Sequence, residues 1–462
     1  MTYDTIIVGM GAAGCSAAAA LCSGGRRVLG LEAQDRVGGR VCTVPLGDGV
    51  VELGAEWIHG ESPNVVFELA KKHSIRVVSQ NLTVDVLKSD GTETDRDLMN
   101  ELVNFTLAVV DDPPKKPEPF GEYATRRITE YIKQKHPYLL EDTSFLPQLL
   151  QFLELLICNY DPSDSWNDIT THNNYRTVKG DLHMSWHKIG YRTLFDVLLN
   201  TYNNGPGLPS LDLRLQKVVS KISYPQEREH DVVVSCDDGS VYKARNVIVT
   251  VSVGVLKAKH KTLFSPPLPE SKISPINSID IGVMNKIEVL FPHIWWPANK
   301  SMFGFLWREE DRACFLADDE WVTKILGATT PKGSDRVLTL WTSGSAARQI
   351  ETLPVDVLKM KAMALLRRFM GRDRNIPEPV DIVRSTWHSN PYTLGSYSYD
   401  NTSAPLHPRA RAQLAAPLCD VTGAARVLFA GEATHDYHFS TVHGAIETGR
   451  REAARLLPNS KL

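Results

Sequence analysis

The chain begins with an apolar, β-branched run, Thr5-Ile6-Ile7-Val8. It breaks at Gly9-Met10-Gly11-Ala12-Ala13-Gly14, continues through small residues and turns apolar again at Val28-Leu29-Gly30-Leu31, ahead of Glu32. That pattern predicts a strand, a tight turn, a helix and a second strand. From about residue 70 to 200 the pattern is helical, with a Pro-rich break at Asp111 to Pro117, and the dense apolar stretch from Phe145 to Ile157 predicts a core helix. β character then returns. Asp231 to Ser235, Asp237-Asp238-Gly239 and Ser240-Val241-Tyr242 read as a hairpin with a glycine turn, and the unbroken run Asn246 to Val251 reads as a buried parallel strand. Arg426-Val427-Leu428-Phe429 predicts one more strand, ending at Gly431-Glu432. After it, Val442, Ala445, Ile446, Gly449, Ala453 and Leu456 recur at helical spacing.

The first glycine turn carries chemistry. Glycines between a strand and a helix let backbone N–H groups approach a pyrophosphate at the helix N-terminus, and an acid ending the second strand can hold a ribose hydroxyl. A secretory leader would need a basic start, whereas Asp4 is the only charged residue before Arg26. Gly38-Gly39-Arg40 follows directly after Glu32; as a backbone nest with a cationic clamp it suits the same pyrophosphate better than it suits a plain surface turn. A comparable turn at Gly431-Glu432 lies near the other end of the chain. Two nucleotide-type turns so far apart imply a discontinuous domain and a large cofactor, FAD rather than NAD.

With 462 residues and 42% hydrophobic content, the chain is long enough for two domains. Its 51 basic and 54 acidic side chains give a net charge of −3, so no basic footprint for nucleic acid is present, while cationic small substrates remain compatible. The seven cysteines are scattered without a C-x-x-C pair, which predicts neither a disulfide framework nor a metal site. No apolar run is long enough for a membrane span. Ser460-Lys461-Leu462 reads as a peroxisomal address, with an import receptor as the implied partner.

Taken together, these residues resemble the flavin-dependent amine oxidase family, in its animal polyamine oxidase branch. The resemblance rests on Gly9 to Gly14, Glu32, Gly38-Gly39-Arg40, Leu53-Gly54-Ala55-Glu56-Trp57-Ile58-His59-Gly60, Thr250 to Lys257, Trp387 to Tyr397 and Phe429 to His435. It implies an α/β fold: a discontinuous Rossmann-like FAD-binding domain (1–70, 205–260 and 420–462) and an α+β substrate domain (71–204 and 261–419) with a mixed sheet and flanking helices. Non-covalent FAD would be held by Gly9, Gly11, Ala13, Gly14, Glu32 and Arg40 at one end. Gly54, Ala55, Glu56, Trp57, Val218, Trp387 and Tyr392 would line its length, and Gly431, Glu432, Thr441 and Val442 would complete the other end. Gly431 and Glu432 are expected to face the diphosphate and ribityl chain. The Val442 N–H, at a helix start, is expected to face the flavin C2 carbonyl, where a helix N-terminus stabilises the charge of the reduced ring. Ser252-Val253 and Val442 depart from the family's usual Pro-Leu and Thr, at positions that act through the backbone.

The same resemblance implies catalytic roles for Lys286, holding a water against flavin N5, and His59, near the substrate amine. In Met284 to Phe291 the alternation also admits a solvent-facing Lys286 beside Glu288. Tyr397 would wall the substrate, Thr441 would stand where relatives carry a second aromatic, and Glu61 would help attract a polycation. Ser396 replaces the flavin-linking cysteine of monoamine oxidases. The implied reaction oxidises a carbon beside a secondary amine of spermine, spermidine or their N-acetyl derivatives, hydrolyses the imine and reduces O2 to H2O2. A monoamine or L-amino-acid oxidase, or a flavoprotein scaffold without turnover, are the alternatives.

Overall fold

The run after Tyr3 forms the strand Tyr3–Val8, whose last four residues are buried. In the computed structural model, which describes residues 3–225, 230–315 and 317–457, this strand lies inside a nine-stranded sheet. Val28–Leu31 flanks it on one side and Val241–Val249 on the other, both parallel to it. Leu211–Arg214 extends the parallel part, and Ala425–Phe429 runs parallel along the end of Val241–Val249. Parallel strands covered on both faces have no polar side to show, hence the uninterrupted Ile6-Ile7-Val8 and Val247-Ile248-Val249. Ser460-Lys461-Leu462, expected to act as a peroxisomal address, lies outside the described residues.

Val241–Val249 differs from expectation in one respect: the hairpin arm at Ser240 to Tyr242 and the apolar run after Asn246 are one strand, not two. Its first half pairs antiparallel with Val232–Cys236 across the turn at Gly239, and its second half pairs parallel with Ala425–Phe429. The sheet therefore forks along a single edge. Two further short strands, Phe264–Ser265 and Leu418–Cys419, join its margins.

Ala12–Ser23 consists almost wholly of small residues, and it packs along Val442–Leu456. Contact is so close that a Cβ at Gly449 would overlap the backbone oxygen of Ala13; separately, a Cβ at Gly14 would overlap that of Gly9, so this glycine packs the helix start against its own turn. Short side chains are thus what lets the first and last helices share one layer over the sheet.

A second sheet of six strands runs in the order Asp381–Arg384, Met284–Leu290, Val337–Ser343, Ile325–Thr329, Met302–Leu306 and Val84–Lys88; only the last pair is parallel. The expected core helix, Phe145–Tyr160, lies across it with Leu149, Phe152, Leu153 and Leu156 buried. The span from 70 to 200 is less helical than its pattern predicts. Val84–Lys88 is a sheet strand, drawn into the sheet by its pairing with Met302–Leu306, and 161–192 holds only short 3-10 turns and the strand Met184–Ser185. The mixed sheet with flanking helices agrees with the expected α/β class. All seven cysteines are unpaired, and among the described residues no helix is long and apolar enough to cross a membrane.

Met284–Leu290 is covered on both faces, so the solvent-facing reading of Lys286 is wrong: Lys286 and Glu288 are each 1% exposed. Glu288 accepts a hydrogen bond from the Thr339 hydroxyl at 2.7 Å. Burial pushes its carboxyl up to about 8, Lys286 opposing and Glu56 and Glu52 reinforcing the rise.

Two outcomes follow. Gly449→Ala forces the two helices apart and should cost about 1–3 kcal/mol in urea unfolding; an unchanged midpoint would show that the contact is not limiting. Glu288 keeps its proton in the native state, whereas the unfolded chain releases it near pH 4.3. The native state thus binds more protons than the unfolded chain between roughly pH 4.3 and 8, so stability falls as pH rises through that window. Thermal melts from about pH 5 to 8 should show a shallower decline for Glu288→Gln than for the parent chain, and parallel curves would refute the assignment.

Candidate active site

The parallel strands end at one wall of a cavity of about 1330 Å³ that reaches across to the second sheet. Gly9, with φ at +94°, makes the first turn possible, and a Cβ there would press on the Thr250 hydroxyl. The helix that follows has no capping side chain and no acid in its first turn, and its leading residues, Gly11 to Ala13, line the cavity. Glu32 fixes the turn from behind, accepting the N–H of Met10 at 2.7 Å and that of Gln34 at 2.9 Å. Gly38 joins the second turn to the first by donating to the Met10 carbonyl at 2.9 Å. Arg36 bonds to carbonyls of its own turn, leaving Arg40 as the clamp on the cavity wall. Val218 lines the same end, its carbonyl accepting from Asp237.

Arg40 Nη1 donates to Glu432 Oε1 at 2.8 Å and to the Ser396 carbonyl at 2.9 Å. Burial alone would raise the Glu432 carboxyl, but Arg40, Arg411 and the Ser398 hydroxyl hold it below the ordinary carboxylate range. Glu432 thus lines the cavity while directing its charge at Arg40. Gly431 sits at φ +125° with its N–H donated to Thr448. Gly14 does not line the cavity; it permits the close packing described above. An anion-binding helix start, a Gly-Gly nest, one arginine clamp and a cavity of this size fit a dinucleotide.

The other end of the cavity is built by the Leu53 to Gly60 loop. Gly54 packs so tightly on the Arg40 carbonyl that a Cβ would overlap it, and Ala55 donates its N–H to the same oxygen. Trp57 stacks on Trp341, with centroids 5.3 Å apart, and Trp387 donates to the Leu53 carbonyl at 3.0 Å, with Tyr392 also on the wall. Lys286 Nζ bonds to Glu56 Oε2 at 2.7 Å and to the Glu52 carbonyl at 2.8 Å, over the Trp341 ring at 4.5 Å. The Glu56 carboxylate thus holds the lysine from a position on the cavity wall. One N–H of Lys286 is left for the cavity.

His59 Nδ1 lies 2.8 Å from the Leu182 carbonyl. A carbonyl only accepts, so the ring proton sits on Nδ1 and Nε2 offers its lone pair. Burial holds this histidine below its ordinary value, hence neutral near pH 7. Tyr397 donates its hydroxyl to the Asn159 carbonyl at 2.9 Å. Thr441 caps the last helix: its hydroxyl donates to the His438 carbonyl and accepts from Gly444, so it has no donor left for a ligand. Val442, the first residue of that helix, lines the cavity. The Ser396 hydroxyl is engaged with both the N–H and the carbonyl of Met284. Glu61 is an exposed loop carboxylate that packs on Gly180 and does not line the cavity.

Some lining residues were invisible to motif reading. Asp161 lines the cavity without a hydrogen bond or ion pair to its carboxylate among the described residues, and burial, with Asp400 adding, pushes it up to about 7. His183 meets the Trp57 edge at 5.2 Å, and burial, with His59 adding, holds it down to about 4. Outside the cavity, His435, His438 and Glu447 converge within 4.8 Å. His435 Nδ1 accepts the His438 N–H at 2.8 Å, which places the ring proton on Nε2, toward Glu447. That tautomer makes the trio a hydrogen-bonded clasp rather than a ligand set.

Residues 12–457 match the family model described as flavin containing amine oxidoreductase. The chain is 32% identical over 498 residues to the peroxisomal N(1)-acetyl-spermine/spermidine oxidase of Bos taurus, covering 98% of this chain and 94% of that one. The Homo sapiens protein of the same name is 32% identical over 497 residues with the same coverage. The probable polyamine oxidase 5 of Arabidopsis thaliana is 26% identical over 539 residues, covering 99% of this chain and 98% of the relative. A solved putrescine oxidase double mutant superposes with a TM-score of 0.67 at 18% identity over 99% of both chains, a likeness of fold. The chain therefore belongs to the flavin-containing amine oxidoreductases, as an FAD-dependent amine oxidase.

Proposed function

We propose that the protein is a polyamine oxidase, taking hydride from a carbon beside a secondary amine of spermine, spermidine or their N-acetyl derivatives. The observation that carries this reading is His59: neutral, fixed as the Nδ1–H tautomer by Leu182, and lining the cavity with Nε2 free to accept from an amine N–H. An alkylammonium titrates near 10, like lysine, so the reacting nitrogen must shed its proton first. Walls made of Trp57, Tyr397 and Trp341 disfavour the charged form, which burial depresses by up to roughly 3–5 units. His59 then orients the neutral amine. Lys286, anchored by Glu56 and the Glu52 carbonyl, offers its remaining N–H to a water used in imine hydrolysis or oxygen reduction.

Bound FAD supplies the hydride acceptor and the path of electrons to O2, giving H2O2. Gly9, Gly11, Ala13, Glu32, Arg40 and Val218 would hold its nucleotide half, and Gly431, Val442 and the Trp387 and Tyr392 segment its flavin half, without a covalent bond since Ser396 stands in the linking position. The division into an FAD-binding domain (1–70, 205–260 and 420–462) and a substrate domain (71–204 and 261–419) belongs to the same proposal. So does a peroxisomal location with an import receptor as partner, supported by Ser460-Lys461-Leu462 and by the names of the two mammalian relatives.

Anaerobic mixing with spermine and with N-acetylspermine should bleach the flavin absorbance. Bleaching by a simple arylalkylamine with neither polyamine active would sink the polyamine reading. Lys286→Met should slow reoxidation by O2, or imine hydrolysis, by at least about tenfold; unchanged kinetics would remove the lysine from the reaction.

A further inference from the structure

Three carboxyl groups gather around one ammonium at the cavity wall. Lys286 and Glu288 stand two apart on the strand Met284–Leu290 and so share a face of it. Glu56 Oε2 accepts from Lys286 Nζ at 2.7 Å, and the Glu52 carbonyl accepts from the same atom at 2.8 Å. All four side chains are buried. The Glu52 carboxylate accepts from the Thr43 hydroxyl at 2.8 Å and the Tyr191 N–H at 2.7 Å, and Glu288 accepts from the Thr339 hydroxyl at 2.7 Å. Glu56 Oε1 is left buried with no partner among the described residues.

The charges here do not balance if every acid is ionised. Among the groups that act most strongly on Glu52 and Glu288, Lys286 is the one cation. The elements packed on the strand bring no second one. Val337–Ser343 contributes the Thr339 hydroxyl, and Asp381–Arg384 sets Val383 opposite Glu288, while its Arg384 bonds to the Ile350 and Leu353 carbonyls. Helix Gly344–Thr352 adds an acid, Glu351, which accepts from the Asn285 amide and the His388 and Ser389 N–H groups. Three negative charges against one positive are not sustained in a water-poor interior, so protons stay on the acids. Burial pushes Glu52 up to about 7 and Glu288 up to about 8, and Glu56 reinforces both shifts.

Oxygen reduction consumes such a proton. The hydride drawn from the amine carries two electrons and one proton, and O2 takes two electrons and two protons to become H2O2, so one proton has to be added. We propose that the Glu52, Glu56 and Glu288 carboxyls form a proton store for oxygen reduction, with Lys286 as its outlet. The inference rests on the role proposed above for Lys286 and assigns that role to the oxygen half of the reaction. An N–H bond of the ammonium breaks as an O–H bond of the peroxide forms, which leaves a neutral amine. The amine turns its lone pair to Glu56 and takes back a carboxyl proton: an O–H bond of the cluster breaks, and the ammonium is restored. Glu56 Oε1, the acceptor without a partner, receives the replacement from the other two acids, and solvent resupplies them between turnovers. The three acids titrate as one coupled group, so the store empties as pH rises through the range of Glu52 and Glu288.

The test reduces the holoenzyme anaerobically with light and EDTA, mixes it with O2 and follows flavin reoxidation from about pH 6 to 9, so that no amine substrate takes part. Reoxidation of the parent should slow as pH rises above about 8, by up to about tenfold per unit. Glu288→Gln keeps the shape and the Thr339 bond but has no proton to release. It should be about three- to tenfold slower near pH 7 and lose most of the decline, while Glu288→Asp, an acid again, should regain it. Independently of turnover, the infrared band of protonated carboxyls in the oxidised holoenzyme should fade over the same pH range and be weaker in Glu288→Gln at its acid end. A parent rate that does not depend on pH, the same decline in Glu288→Gln, or an undiminished carboxyl band in that variant would overturn the store. If Glu288→Gln matches the parent while Lys286→Met still slows reoxidation, the store falls and the lysine keeps its role. Unchanged reoxidation in Lys286→Met removes the outlet and the reading of Lys286 together.

Discussion

The ion pair between Arg40 and Glu432 joins positions 392 residues apart, and the active cavity is organised around it. Glu432 accepts from Arg40, from the Ser398 N–H and hydroxyl, and from the Ser440 N–H. One carboxylate thereby gathers the second glycine turn, the Ser396 to Tyr399 segment and the loop that starts the last helix. Its burial makes the arrangement stringent: removing one member of such a pair leaves an uncompensated charge, at a cost of roughly 3–5 kcal/mol. Arg40 in turn carries the Gly54-Ala55 backbone on its own carbonyl. The positions of Glu56, Trp57 and His59 are thus inherited from a contact made at the nucleotide end.

The second sheet brings the chemistry to meet that frame. Lys286 stands on a strand buried on both faces, and its Nζ is met there by Glu56, the Glu52 carbonyl and the Trp341 ring. Here the second sheet and the Leu53 to Gly60 loop interlock through charge rather than through apolar contact alone. A residue from the early loop and one from the middle of the chain meet in a water-poor setting, where a hydrogen bond is directional and a misplaced charge is expensive.

Elements built from local pattern were legible in the sequence: the βαβ unit around Gly9 to Gly14, the Phe145–Tyr160 helix, the hairpin at Gly239 and the helical spacing from Val442 to Leu456. Boundaries failed where distant strands decide. Val84–Lys88 reads like its helical neighbours until Met302–Leu306 pairs with it, and Val241–Val249 looks like two pieces because two different partners share its edge. In the site, motif positions came together on one cavity, Glu61 and Gly14 excepted. What motif reading lacked was direction: nothing in Gly-Ala-Glu-Trp says that Glu56 turns to Lys286. Asp161 did leave a trace, an acid at the end of a strongly apolar helix, where the macrodipole disfavours it.

The forked strand also bears on how the molecule is assembled in time. Val241–Val249 accepts Tyr3–Val8 and its hairpin partner as soon as the middle of the chain exists, but its remaining edge waits for Ala425–Phe429. During synthesis that parallel edge is bare and apolar, the kind of surface that invites mispairing and chaperone attention. The anion cradle is half made over the same interval, with Arg40 lacking its carboxylate. Arg40 therefore meets its carboxylate only once the last tenth of the chain, with Ala425–Phe429, has joined the sheet.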